Sequence, residues 1–320
     1  MRLKQLLNTE KPFLADGGLE TVMIFEKGLE LPYFASFTLL DSEQGHRALE
    51  EYYERFIDLA AESGRGFLLD TTTWRASVPW GSQMGLGESD IVDINRRAAA
   101  FAMTMRDRHE RRDLPIMVNG VVGPAADGYV ASQTLAPDDA QSIHMPQIRA
   151  LRETGVDLAS AMTMTHSGEA IGITRAAREA NLPVVISFTV ETDGNLPSGQ
   201  PLDQAIEEVD NTTAAYPLFY MINCAHPDHF AHVMSASTLT RRLGGLRTNA
   251  SRLSHAELDA AEELDAGDPE ELGTLHEPLL TQLPNIRVLG GCCGTDHRHV
   301  GCVARASDTT SAAYEELANA

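Results

Sequence analysis

Residues 286–295 read IRVLGGCCGT: an apolar run that stops at Gly290 and Gly291 and continues into two adjacent cysteines, Cys292 and Cys293. Such a run has the length of a buried strand, and the glycines after it let the chain turn. It is the last of a series. Runs of the same make-up occur at 13–18 (FLADGG), 66–73 (GFLLDTTT), 115–124 (PIMVNGVVGP), 156–165 (VDLASAMTMT), 183–190 (PVVISFTV), 219–227 (FYMINCAHP) and 244–250 (GGLRTNA), which makes eight candidate strands. Between them lie stretches with apolar residues at helical spacing, such as GHRALEEYYERFIDLAAESG (45–64) and DINRRAAAFAMTMRDRHERR (93–112). Strand alternating with helix predicts a parallel sheet of the α/β class, and eight units predict that it closes into a (β/α)8 TIM barrel. The alternative is an open doubly wound sheet, but the first run lacks a G-x-G-x-x-G turn.

No linker or low-complexity tract divides the chain, so one barrel domain is expected over residues 1–320. The polar, acidic stretch 251–276 reads as a surface loop with a helix. A barrel needs about 250 residues, and 43% hydrophobic residues supply its core. The formal net charge of −21 works against nucleic acid and anionic membrane as partners. The N-terminus has no apolar run fit for a signal peptide, and no segment approaches the roughly 18 apolar residues of a membrane span. The expectation is a soluble cytoplasmic protein whose cysteines are reduced, a setting that favours metal-binding or catalytic cysteines over disulfides. The oligomeric state is not legible.

The chain has four cysteines. Cys224 ends the sixth run, while Cys292 and Cys293 follow the eighth, and in a barrel both places lie at the C-terminal mouth where active sites are built. Neighbours on a flat strand face opposite ways, but Gly290, Gly291 and Gly294 permit a turn that brings both thiols to one side. Three thiolates suit Zn2+, and a catalytic zinc keeps its fourth position open. A thiol substrate is the natural occupant, since the metal lowers its pKa. Three other readings stand beside this one: buried packing, a vicinal redox pair, or a structural zinc completed by His226, His297 or His299. Cys302, in a helix-like stretch, reads as packing.

Taken together, LADGGLET (14–21), INCAHP (222–227) and LGGCCGT (289–295) resemble the zinc-dependent homocysteine S-methyltransferases. LLDTTTWRAS (68–77), NGVVGP (119–124), GVDLASAMTMTHSGEA (155–170) and VVISFTVETDGNLPSGQPLDQAI (184–206) extend the likeness in order along the chain. The resemblance implies a barrel with one Zn2+ on Cys224, Cys292 and Cys293. It implies transfer of a methyl group from an onium donor, such as S-methylmethionine or betaine, to homocysteine, giving methionine. It also implies that Asp16, Gly17 and Gly18 line the amino-acid pocket and that Thr71 and Asn249 lie near the substrate. Helix capping for Asp16 and strand packing for Thr71 are the plainer alternatives. His226 has a supporting role at the metal or a structural one in its loop, and Trp74 and Trp80 either cradle a cationic donor or pack.

Two departures from the family pattern bear on the substrate. Met162 stands where the family carries a glutamate that holds the substrate ammonium, and RTNA (247–250) replaces a Y-P-N segment, keeping Asn249 but introducing Arg247. An acid lost and a base gained would suit a thiol with a more anionic tail, although Arg247 is equally readable as a surface ion-pair residue. Besides homocysteine methylation, two readings stay open: methylation or demethylation on another thiol/onium pair, and a zinc-binding barrel without catalysis.

Overall fold

In the computed structural model, which describes residues 2–129, 134–234, 237–261 and 263–318, every candidate strand of the sequence becomes a strand. They are β1 (Phe13–Ala15), β2 (Phe67–Asp70), β3 (Ile116–Val122), β4 (Leu158–Met164), β5 (Val184–Phe188), β6 (Tyr220–Asn223), β7 (Leu243–Thr248) and β8 (Val288–Gly291). Each pairs in parallel with its sequence neighbours, and β8 pairs with β1 through Phe13–Val288 and Leu14–Leu289, so the sheet closes as a (β/α)8 barrel. The observed strands are shorter than the apolar runs. In each case the small or polar tail of the run has left the ladder to form the loop at the barrel mouth.

Seven long helices wrap the sheet: α1 (Glu43–Glu62), α2 (Glu88–His109), α3 (Pro137–Thr154), α4 (Ser167–Glu179), α5 (Leu202–Thr213), α6 (Pro269–Gln282) and α7 (His297–Ala318). Their ends are set locally. The Ser42 hydroxyl accepts a hydrogen bond from Gly45 N at the start of α1, and Gly155, at φ 83°, ends α3 in the left-handed region. Between β6 and β7 the described residues form short helices, Pro227–Phe230 and Ser237–Arg242, with a 3-10 turn at Ala231–Val233, and no long one. No helix among the described residues is long and apolar enough to cross a membrane.

Alternation along each strand builds two cores. Leu14, Phe67, Leu69, Val118, Ile186, Ile222 and Leu246 face the helices. Phe13, Leu68, Met117, Leu158, Val185, Met221 and Val288 fill the barrel floor, plugged from below by Leu6 of the N-terminal helix Arg2–Leu7. Two positions further along, the interior turns polar: Asp70, Asn119, Ser160, Ser187, Asn223 and Arg247 are all buried. The Asn119 amide donates to Asp70 Oδ1 (2.7 Å), Ser160 Oγ to Asn119 Oδ1 (2.9 Å) and Ser187 Oγ to Asn223 Oδ1 (2.6 Å). This hydrogen-bonded ring separates the apolar floor from the mouth.

A candidate metal and substrate site at the barrel mouth

Cys224 follows β6 directly, with a left-handed backbone at φ 53°. The conformation is held from several sides: Cys224 N donates to Arg247 O (3.1 Å), and its carbonyl accepts from Thr189 Oγ1 (3.3 Å) and contacts His255 Nε2 (2.8 Å). Cys292 and Cys293 come after Gly291, off the end of β8, so strand alternation no longer separates them. Cys292 N donates to Thr248 O (2.8 Å), Ala250 N donates to Cys293 O (3.2 Å), and Gly294 turns the chain at φ 77°. The glycine turn of β1 packs against this loop. A Cβ on Gly18 would lie 2.6 Å from Cys292 O and 3.2 Å from Cys293 Cα, and one on Gly17 would lie 2.7 Å from Thr295 O.

The three sulfurs lie within 4.8 Å of one another. A tetrahedral ion with sulfurs at about 2.3 Å sets them roughly 3.8 Å apart, so the cluster fits a soft divalent cation by geometry and by donor type. In this structure Cys224 and Cys292 are joined as a disulfide, while Cys293 and Cys302 are free. The pairing of Cys224 with Cys292 departs from the expectation of reduced thiols. The physical reason is proximity: sulfurs brought close enough to share one ion are also close enough to bond to each other. Burial raises the pKa of the Cys293 thiol.

None of the three candidate histidines joins the cluster. His226 uses Nδ1 to accept from Asp228 N (3.2 Å), and burial pushes its pKa down to about 4. His299 lies between Asp296 Oδ1 (3.0 Å) and Ala266 O (2.8 Å), and His297 packs edge-on against Phe56. Among the described residues the three cysteines are the group of metal-ligating side chains close enough to share an ion, which leaves a fourth position without a histidine. Tyr129 approaches the cluster from the loop after β3, its hydroxyl 3.3 Å from Cys293 Sγ and its ring stacked on His255 at 4.2 Å. His255 comes from the acidic stretch expected to be surface; it is buried and also contacts Glu191 (3.0 Å). Neither Tyr129 nor His255 sits in a sequence pattern that marks it, and the fold alone brings them to the sulfurs.

Arg247, at the end of β7, is an ion-pair residue, but one buried inside the barrel and not on the surface. Its guanidinium donates to Asp16 Oδ1 and to Asp70 Oδ2, and its Nε to Gly291 O (3.3 Å). The other Asp16 oxygen accepts from the Tyr52 hydroxyl (3.3 Å), so both oxygens of the Asp16 carboxylate are engaged. Burial lifts the Asp16 pKa to about 7 against the pull of Arg247. Met162 points into the barrel beside this layer. Past Ala161 the β4 register slips, Thr163 takes φ 64°, and Asn223 clamps it by accepting from Thr163 N (2.9 Å) and donating to Thr163 Oγ1 (2.8 Å).

Thr71 is buried, with its hydroxyl shared with Thr73 Oγ1 (2.6 Å) and accepting from Val121 N (3.0 Å), a tie between β2 and β3. Asn249 is buried next to the cysteine loop; its backbone N–H donates to Ala225 O (3.1 Å) and its Oδ1 has no partner among the described residues. The faces of Trp74 and Trp80 are filled by the chain's own Arg75, whose Cζ lies 3.9 Å from one ring centroid and 3.6 Å from the other. Trp80 is further fixed by Nε1 donating to Pro124 O (2.9 Å). Cys302 is buried in α7 against Gly273, as packing requires.

A family model described as homocysteine S-methyltransferase matches residues 13–307. Among solved structures, the homocysteine methyltransferase MmuM from Escherichia coli superimposes in its oxidised form with a TM-score of 0.74 at 20% identity, covering 95% of this chain and 99% of that one. Its metallated form gives 0.72 at 19% identity with the same coverage, and its apo form 0.65 at 18% identity, covering 96% and 100%. At these identities the structural likeness is one of fold.

Proposed function

The chain belongs to the homocysteine S-methyltransferase family, and from that premise we propose that it moves a methyl group from an onium donor to a small-molecule thiol, at a zinc ion held by Cys224, Cys292 and Cys293. Family membership makes it a methyltransferase. The observation that carries the rest is the convergence of three sulfurs, from two loops of the barrel mouth, with no histidine completing the set. When bound there, zinc supplies an open position that lowers the pKa of a thiol and holds it as a nucleophile at neutral pH.

In the reaction one C–S bond forms at the acceptor and one bond from methyl to the onium nitrogen or sulfur breaks. The bonding pair stays with the leaving group, which departs neutral, and the acceptor's thiol proton passes to solvent. An onium methyl is already electrophilic, so the residues of the chain chiefly have to place the thiol in line with it and keep competing water out. The backbone holds on Cys224 and Cys292 fix the cage. The Gly17–Gly18 turn lets the first loop close on it, and the engaged Asp16 carboxylate sets the wall behind. Tyr129 contacts Cys293, the unpartnered Asn249 Oδ1 is a polar atom left for a substrate, and Thr71 ties the end of β2 to β3. With S-methylmethionine or betaine as donor and homocysteine as acceptor, the product is methionine. One barrel domain carries the whole activity, and its chemistry needs the reducing conditions of the cytoplasm.

Two measurements test this. Protein purified under reductant should carry about one zinc per chain, lost on Cys292→Ala. A screen of onium donors against several thiols should return a methylated thiol. Metal-free protein that still transfers methyl groups would overturn the assignment, and zinc-loaded protein that turns over no pair would leave a binding barrel instead.

A further inference from the structure

We infer that Glu20 and Arg75 together read the two charges of an α-amino acid thiol, taking over from the acid that this chain lacks at Met162. The inference rests on the reading of the sulfur site as the place where the acceptor thiol binds.

The two carboxylates nearest the barrel axis are not free for an ammonium. Asp16 is held by Arg247 and Tyr52, and Asp70 by Arg247 and Asn119. Met162 offers no charge. A further acid lies on the same loop: Glu20, two residues beyond Gly18, whose backbone packs against Cys292 O and Cys293 Cα. Among the described residues its carboxylate has one hydrogen-bond partner, Ser36 Oγ on Oε1 (2.8 Å), and no ion pair.

Arg75 is the complementary group. It is 7% exposed, yet among the described residues its guanidinium has one protein hydrogen bond, Nη1 to Ala126 O (3.1 Å), and no ion pair, Asp127 and then Glu20 being the acids whose charge it feels. Its Nε is buried without a partner. A guanidinium buried in this way is costly unless something anionic meets it, and burial does push its pKa down to about 10. The indoles of Trp74 and Trp80 clamp it in place, so its donors are pre-set. The deficit is local: of the eight buried polar side-chain atoms without partners among the described residues, four belong to Thr72, Trp74, Arg75 and Ser77.

Barrel order gives the pair its arrangement. β1 lies between β8 and β2, so around the mouth the cysteine loop comes first, then Glu20, then Arg75. Each of the two is an electrostatic neighbour of the other, yet no ion pair joins them. A molecule with its sulfur at the cysteines, its ammonium at Glu20 and its carboxylate at Arg75 would follow that order.

The test is calorimetric binding to zinc-loaded protein of three thiols: homocysteine, 4-mercaptobutanoate, which lacks the ammonium, and 3-mercaptopropylamine, which lacks the carboxylate. Wild-type protein should bind each truncated thiol about tenfold or more weakly than homocysteine, the weight of a hydrogen bond to a charged group. Glu20→Gln should weaken homocysteine and 3-mercaptopropylamine while sparing 4-mercaptobutanoate. Arg75→Gln should weaken homocysteine and 4-mercaptobutanoate while sparing 3-mercaptopropylamine. Because the chain has two tryptophans, both flanking Arg75, a carboxylate arriving there should also change the intrinsic fluorescence of the wild type, and 3-mercaptopropylamine should not. Equal binding of all three thiols by wild type, or variants that weaken all three alike, overturns the pairing, and the wild-type arm decides the matter even if a variant fails to fold. The charge-selective pattern without methyl transfer to any donor would sink the proposed activity and leave this pairing standing. Methyl transfer without the pattern would do the reverse.

Discussion

Replacing Arg247 by methionine should cost this protein much of its stability, and the loss should be recoverable by removing the acids around it. The guanidinium is buried between Asp16 and Asp70, and no other cation pairs with either carboxylate among the described residues. Taking away one partner of a buried ion pair leaves uncompensated charge and costs about 3–5 kcal/mol, whereas replacing the whole cluster by neutral groups is often close to neutral. At about 2.1 cal/mol/K per residue, unfolding this chain of 320 residues carries roughly 0.7 kcal/mol/K. A loss of about 4 kcal/mol then lowers Tm by roughly 6 °C. The assay is thermal unfolding followed by circular dichroism at pH 8, in reduced, metal-free buffer so that the sulfur site is the same in every variant. Asp16→Asn and Asp70→Asn added to Arg247→Met should restore most of the drop. The deficit of the single variant should also shrink as pH falls toward 7 and level off below it. Asp16 already titrates at about 7, losing Arg247 raises it further, and a folded state that binds a proton more tightly gains stability as pH falls. A Tm change under about 1 °C, or a triple variant no better than the single one, would refute the picture of a charge cluster held together by Arg247.

Gly18→Ala should lower zinc affinity and cost about 1–3 kcal/mol, because the new methyl group meets the Cys292 carbonyl and the Cys293 backbone; a chelator competition titration and a urea midpoint read both. Cys302→Ala should leave zinc stoichiometry unchanged at a cost near 1 kcal/mol, in contrast to Cys292→Ala, and the same two measurements apply. His276 is fully buried with its pKa depressed to about 4, so the unfolded chain binds its proton first. Its contribution is intact above pH 6.5 and lost as pH falls toward 4, about 3 kcal/mol over that window. His276→Gln should flatten this part of the stability profile, and urea midpoints between pH 4.5 and 7.5 would show it.

The barrel was readable because its signal repeats: eight apolar runs, each stopped by glycine, threonine or proline, leave little choice of topology. The cysteines were readable for a related reason, since strand ends in a closed barrel share one rim. Arg247 was not. A lone arginine after a strand looks like a surface residue, and only the pairing of Asp70 with Asn119, and of both strands with their neighbours, shows that the position faces inward at the level where the interior turns polar. Met162 was noticed as a departure, but the slip of β4 at Thr163 that accompanies it leaves no trace in residue type. Trp74 and Trp80 suggested an aromatic cradle, and the cradle exists; the residue between them in the sequence pattern, Arg75, fills it. Tyr129 and His255 carried no pattern, because loops from β3 and β7 meet over the sulfurs only when the sheet has closed.

The arrangement around Arg247 also constrains the order in which its members can be substituted. A guanidinium does not shed its proton at any pH a cell tolerates, whereas a carboxyl group does take one up. A chain with Asp16 alone could admit the arginine, or admit Asp70 in protonated form beside Asn119, in either order. Descent in the other direction is not symmetrical. Once both acids lean on it, exchange of Arg247 for a neutral residue is costly until at least one acid has gone. Homologues that carry an acid at position 70 should therefore be the ones that retain arginine at 247, and the pair should be inherited or lost together.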